Sequence, residues 1–207
     1  SVYGLYRTDQ DLYEKNQTVL AAVSKIADPQ FKTGTFETDQ MFLESCIGNV
    51  ILEGIYFYSA FLIFYVLRRN NKMPGSAEMI QFINRDEDMH LQLFIKISNT
   101  IREEQPELWT PEFQAQIRQN VVDAVSMEYQ WGAACIGSGI LGLTPADLKE
   151  YLQFVGDMRL LALGLEKEWN SKNPFPWIDE FTQGSMIEVN FFEGTVREYQ
   201  TGTLEWE

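Results

Sequence analysis

The sequence predicts an all-α protein, and three observations carry that prediction. No two-residue alternation of apolar and polar side chains is sustained anywhere along the 207 residues. Long apolar-periodic segments are instead separated by short joints of proline, glycine and capping hydroxyls. Two of those joints, Thr110-Pro111 and Thr144-Pro145, repeat one helix start: a hydroxyl N-cap, then proline in the first turn, where its missing N–H costs nothing.

The elements follow in order. A first helix is expected over 9–27, stopping before Pro29, the residue before a proline being pushed out of the helical region. Lys32, Thr33, Gly34 and Thr35 form a polar joint. A second helix runs from Thr38 to Asn70, where Asn70-Asn71 and then Pro74-Gly75 break it. Ser76 is the expected N-cap of a third helix reaching Glu104, which Pro106 ends. A fourth helix leads from Thr110 to Ile136 and a fifth from Thr144 to Gly164, with a joint over 137–143 that holds three glycines. After Asn170, the string Asn173-Pro174-Phe175-Pro176-Trp177 is too stiff for a helix interior. No helical period continues over 183–207, which reads as a tail with Phe191, Phe192, Leu204 and Trp206 as apolar anchors. The expected division is a helical domain over 1–182 and a tail over 183–207.

Composition excludes several functions. Thirty acidic against sixteen basic side chains give a formal charge of −14, and a surface that acidic repels phosphate backbones, so no nucleic-acid partner is expected. Cys46 and Cys135 lie far apart in apolar stretches; they read as core thiols in a reducing, cytoplasmic compartment, not as a disulfide framework. The segment 1–10, with Arg7 and Asp9, has no export signal. Cys46 to Leu67 is long and apolar enough to cross a membrane, but it contains Asn49 and Glu53, and a carboxylate in hydrocarbon needs a partner. An all-round apolar helix is also what the centre of a bundle requires, so no membrane is expected.

Glu53 is the odd residue of that helix. Helical spacing sets it on one face with Phe57 and Phe61, and a buried carboxylate must meet a proton, a cation or a metal. Taken alone it fits a salt bridge to an arginine equally well. The third helix carries Arg85-Asp86-Glu87-Asp88-Met89-His90. Glu87 and His90 are i and i+3, one turn apart on a face shared with Ile83, Leu91 and Phe94. Such a pair offers oxygen and nitrogen ligands suited to iron or manganese. By itself it also fits an ordinary helical Glu–His contact in water. The conjunction is more specific: antiparallel second and third helices bring Glu53 beside Glu87. Dimetal carboxylate bundles use two single carboxylates and two Glu-x-x-His pairs. Half of that set is present. The other half is impossible within one copy, because His90 is the single histidine.

With these residues in view, the chain resembles the small, radical-generating subunit of class I ribonucleotide reductase over nearly its whole length. The resemblance rests on Leu52-Glu53-Gly54-Ile55-Tyr56-Phe57-Tyr58, Arg85-Asp86-Glu87-Asp88-Met89-His90-Leu91, Asn173-Pro174-Phe175-Pro176-Trp177, and the tail segments Asn190-Phe191-Phe192-Glu193 and Glu198-Tyr199-Gln200-Thr201-Gly202. It implies a ferritin-like helical homodimer with two metal ions, Fe/Fe or Mn/Fe, which generates a one-electron oxidant for the large subunit. On that likeness Glu53, Glu87 and His90 are ligands of the second metal, and Phe57, Phe61 and Ile83 line a dry pocket beside the oxidant. Asp86 matches the aspartate of the radical-transfer route, Tyr199 the tail tyrosine that relays the radical, and Glu193 the supporting tail glutamate. The tail end docks on the large subunit.

The sequence departs from the family at its start. The first metal's ligands, and the radical tyrosine or the phenylalanine replacing it, have no counterpart, so the fold is expected to be a partial bundle whose remaining ligands come from outside this chain. The chain is then the C-terminal portion of a longer polypeptide, one piece of a split subunit needing a complementary N-terminal segment, or a degenerate relative. The retained Glu53, Glu87 and His90 argue against degeneracy and against a metal-free site. Two other readings stand beside this one: a ferritin-like dimetal oxidase that needs no large subunit, and a non-enzymatic helical partner protein.

Overall fold

In the computed structural model, residues 26–178 are described, together with Gln10, residues 13–17 and Ser24. Five α-helices are set out in chain order: α1 Phe36–Ile55, α2 Tyr58–Arg69, α3 Pro74–Glu104, α4 Pro111–Ile136 and α5 Pro145–Ala162. A 3-10 turn, Pro106–Leu108, joins α3 to α4. Among the described residues the only extended pairing is an isolated bridge between Ile140 and Leu143 in the glycine-bearing joint. Of the first expected helix, Gln10, residues 13–17 and Ser24 are described as helical.

Local chemistry explains the helix starts. Thr35 caps α1 in a reciprocal box with Thr38. Thr110 and Thr144 cap α4 and α5, each followed by proline at the first helical position, as the sequence requires. The start of α3 differs from expectation. Its N-cap is Met73, in the left-handed region at φ 48°, and Pro74 opens the helix; Ser76 lies inside the first turn. Pro74 supplies the φ a first turn needs and gives up a donor that has no intrahelical partner anyway, so it starts α3 as well as marking the break before it.

The second expected helix is in fact two, interrupted at Tyr56 and Phe57. α1 packs against α3, α4 and α5, and α2 against α3 and α4. That central place is why α1 is apolar on nearly every side: Leu43, Ile47, Val50 and Ile55 are buried and join Leu62 and Tyr65 of α2, Leu91 of α3, Ile117 and Val121 of α4, and Leu148 and Leu152 of α5 in one core. The stretch from Phe36 to Arg69 has the length and hydropathy of a membrane span, yet more than half of its most apolar window is buried against the other helices. α3 is different. Only Ala77, Leu91 and Ser98 are buried along it, and Met79, Ile83, Met89 and Leu93 are exposed.

The proline-rich segment after α5 packs as the sequence implies, without helix. Phe175 meets Tyr151 and Trp177 edge-on, and the Arg69 guanidinium lies 4.5 Å over the Trp177 ring. Cys46 is buried as expected, whereas Cys135, near the end of α4, is exposed. The helix turns its Val121–Glu128–Gly132 stripe to the core, and Cys135 falls outside it.

Candidate metal centre

Glu53 lies near the end of α1, and Glu87 and His90 lie one turn apart on α3, the helix against which α1 packs. One ligand atom from each of the three falls within 4.8 Å of the others. His90 Nδ1 and Glu87 Oε2 are 3.0 Å apart. The Glu53 carboxyl is pushed up to about 7, first by burial, then by hydrogen bonding to Glu87 and by its charge, against a smaller downward pull from His90. Two carboxylates this close cannot both ionise cheaply without a cation between them. A donor set of two carboxylates and one imidazole is what iron or manganese accepts. The residues present therefore fit a metal ion.

The sequence expectation of a site sealed from water is met only in part. Glu53 is half-buried, Glu87 is 20 % exposed and His90 is 56 % exposed. The cause is the open side of α3, on which Ile83 is also 42 % exposed. Phe57 and Phe61 do come together, their rings stacked with centroids 6.0 Å apart, and Phe61 is buried. Asp86 points elsewhere: it pairs with Arg85 at 3.2 Å and is half exposed. Glu193 and Tyr199 lie outside the described residues.

Comparison with known proteins gives the family. Residues 1–174 match the family model for the ribonucleotide reductase small chain. The chain belongs to the ribonucleotide reductase small-chain family. It is 38 % identical over 207 residues to the ribonucleoside-diphosphate reductase subunit beta of Chlamydia pneumoniae, covering 99 % of this chain and 60 % of that protein. It is 34 % identical over 200 residues to the subunit beta of Halalkalibacterium halodurans, covering 96 % of this chain and 56 % of the relative. The crystal structure of a class I ribonucleotide reductase from Bacillus halodurans superposes with a TM-score of 0.78 at 36 % identity, over 87 % of this chain and 62 % of the other. The R2 subunit from Clostridium botulinum gives 0.77 at 35 % identity, over 87 % and 56 %. The fold is thus the ferritin-like helical one of these small chains, and this chain spans about 60 % of the length of the first of these relatives.

Small-chain membership leaves one group of residues unaccounted for, and sequence reading passed over it as well. Glu128 of α4 is completely buried and takes hydrogen bonds from Lys15 and Ser59. Arg159 of α5 donates to the Gly54 carbonyl at 2.9 Å and to the Tyr58 hydroxyl at 2.7 Å. A signal for Glu128 was present: it sits in phase with Val121, Ala124, Val125 and Gly132, the buried stripe of its helix. The argument that singles out Glu53, a carboxylate at an apolar position, applies to it equally.

Proposed function

We propose that this chain supplies one metal's ligands, Glu53, Glu87 and His90, in the dimetal site of a class I ribonucleotide reductase small subunit, and so serves the conversion of ribonucleotides to deoxyribonucleotides. The observation that supports it is the convergence of those three side chains from two helices within 4.8 Å. The metals, Fe/Fe or Mn/Fe, when bound supply oxygen activation and a stored one-electron oxidant. The residues of this chain hold and shield that site. Glu53 and Glu87 carry the negative charge that a cation neutralises, and His90 adds a neutral nitrogen. Phe57 and Phe61 wall the site against water and loose reductants on one side, and Ile83 belongs to the same pocket on the open side of α3. Asp86, next to Glu87, belongs to the route by which the oxidant leaves, and Tyr199 with Glu193 continues it in the tail over 183–207, which docks on the large subunit. The remaining ligands come from a complementary N-terminal segment, and two small subunits form a homodimer in the cytoplasm.

Metal analysis of the purified chain, with and without the complementary segment, tests this reading. Iron or manganese in the complemented form, lost in Glu87→Ala while helicity persists, is expected. Tyr199→Phe should keep the metal and abolish turnover with the large subunit. A complemented protein that takes up neither metal would overturn the assignment. Activity that survives removal of everything after Gln183 would point to an oxidase that needs no large subunit.

A further inference from the structure

We infer that Glu128 is a positioning residue for the metal centre: together with Lys15 it maintains the two-residue interruption between α1 and α2, and that interruption fixes how Glu53 faces α3. The inference rests on the metal reading above and goes beyond it, since Glu128 touches no ligand.

The interruption begins three residues after Glu53, at Tyr56 and Phe57. In an unbroken helix the Ser59 amide would donate to the Ile55 carbonyl, four residues back. Here it donates to Glu128 Oε1 at 3.1 Å, and the Ser59 hydroxyl donates to the same oxygen. The other carboxylate oxygen, Oε2, accepts from Lys15 Nζ at 2.5 Å. Lys15 Nζ also donates to the Tyr56 carbonyl at 2.8 Å, an acceptor that an unbroken helix would offer to the Ala60 amide. One buried ion pair therefore engages a backbone donor and a backbone acceptor of the interrupted segment.

The surroundings are shaped for this contact. One turn beyond Glu128 on α4, a Cβ on Gly132 would lie 2.8 Å from Ser59 Cβ, so only glycine lets α4 approach closely enough for Glu128 to reach the Ser59 amide. The Lys15 ammonium lies 4.5 Å from the Trp131 ring and 5.5 Å from the Tyr56 ring, which hold it over the pair.

An ion pair is a poor choice if stability were the whole purpose. Apolar side chains of similar volume usually serve as well or better in a protein interior. What Glu128 and Lys15 provide and such side chains cannot is a partner for the Ser59 N–H and the Tyr56 C=O. Without them the segment gains by closing the helical ladder. That would rotate α2 against α1 and carry Glu53 away from Glu87 and His90.

A matched pair of variants in the full chain tests this: Lys15→Met with Glu128→Gln, and Lys15→Met with Glu128→Leu. Both remove the charges, but only the first leaves an oxygen for Ser59. Mn(II) binding is followed by the EPR signal of the free ion, on the chain alone and with its complementary segment, and thermal unfolding is recorded in parallel. The glutamine variant keeps the acceptor for Ser59 but lacks the Lys15 donor to Tyr56 and is expected to lose part of the Mn(II) affinity; the leucine variant loses both contacts and is expected to bind at least about tenfold more weakly than wild type, the range in which residues behind a metal ligand act. That ranking should hold even if the leucine variant is the more heat-stable of the two, which a purely structural role cannot produce. Gly132→Ala presses on the same segment without any charge change, and it should weaken Mn(II) binding too if the double variants fold poorly. Equal Mn(II) affinity in wild type and all folded variants would overturn the role of Glu128 and leave the metal site standing. No Mn(II) binding by the wild-type chain in either form would overturn both.

Discussion

Arg159 and Gly54 are fitted to one another across the interface of α5 and α1. The Arg159 Nε donates to the Gly54 carbonyl at 2.9 Å, and a Cβ added at Gly54 would lie 2.8 Å from that same nitrogen. Leu91 Cδ1 stands 3.0 Å from the same point. Gly54 follows Glu53 in the chain, so the absence of a side chain there lets an arginine from one helix and a leucine from another close in beside Glu53, the proposed metal ligand.

Gly54→Ala is therefore expected to destabilise the protein, by about 1–3 kcal/mol, the usual cost of forcing extra atoms into a packed interior. An arginine usually yields easily, but this one is tethered a second time, by its Nη2 to the Tyr58 hydroxyl at 2.7 Å. Urea denaturation of the metal-free protein measures the loss. A variant as stable as wild type would show that Arg159 is freer than these two bonds imply.

The Glu53–Glu87 pair makes a prediction about pH. Glu53 holds its proton up to about pH 7 in the folded protein, against 4.5 for an ordinary glutamate. Between those values the folded state binds more protons than the unfolded one, so stability falls as pH rises. The contribution of this group is fully present below about 4.5 and gone above about 7. Metal-free protein should thus unfold at a lower urea concentration at pH 7.5 than at pH 5, and Glu53→Gln should reduce that difference. Metal binding runs the other way. A cation must displace the shared proton, so affinity should climb as pH rises through 7.

His90→Ala separates ligation from folding. The side chain is 56 % exposed, and among the described residues its hydrogen bond is to Glu87. Its loss should change stability by no more than about 0.5 kcal/mol, as for most surface substitutions. Metal uptake should fall sharply, because the nitrogen ligand goes and two carboxylates remain. Denaturation curves alongside metal analysis give both readouts on one preparation. A large loss of stability without metal would mean that His90 supports the fold.

Much of this was legible in the sequence, for physical reasons that can be named. Thr110 and Thr144 announce their helices because a cap and a first-turn proline are local chemistry, settled within a few residues. Glu53, Glu87 and His90 were recognisable because charge at an apolar helical position is costly enough to need a reason. The interruption at Tyr56 and Phe57 was not legible. Nothing in Gly54-Ile55-Tyr56-Phe57-Tyr58 is a helix breaker of the strength of proline; the interruption is held by Lys15, Glu128 and Arg159, which come from distant parts of the chain. The exposure of His90 was equally hidden, since helical spacing tells which face is apolar but not which elements cover it.

Asp157 gives the last prediction, and it concerns the segment that follows α5. The residue is fully buried, and among the described residues its carboxylate forms no ion pair. Its oxygens instead accept three backbone amides: Glu168 and Trp169 on Oδ1 at 2.8 and 3.0 Å, and Ser171 on Oδ2 at 2.9 Å. The chain turns away from α5 around this one side chain, which seats the Trp169 ring against Gly156, where a Cβ would come within 2.6 Å of the indole. Hydrogen bonds to an ionised acceptor are among the stronger ones, and losing the acceptor strands buried donors. Asp157→Ala is expected to cost about 3 kcal/mol on that basis. Asp157→Asn should fall between it and wild type, because the amide keeps one oxygen for Glu168 and Trp169 but turns an N–H toward Ser171. Urea denaturation followed by tryptophan fluorescence should rank the three proteins in that order. If Asn proved as costly as Ala, the two amides on Oδ1 would not be what holds the segment to α5.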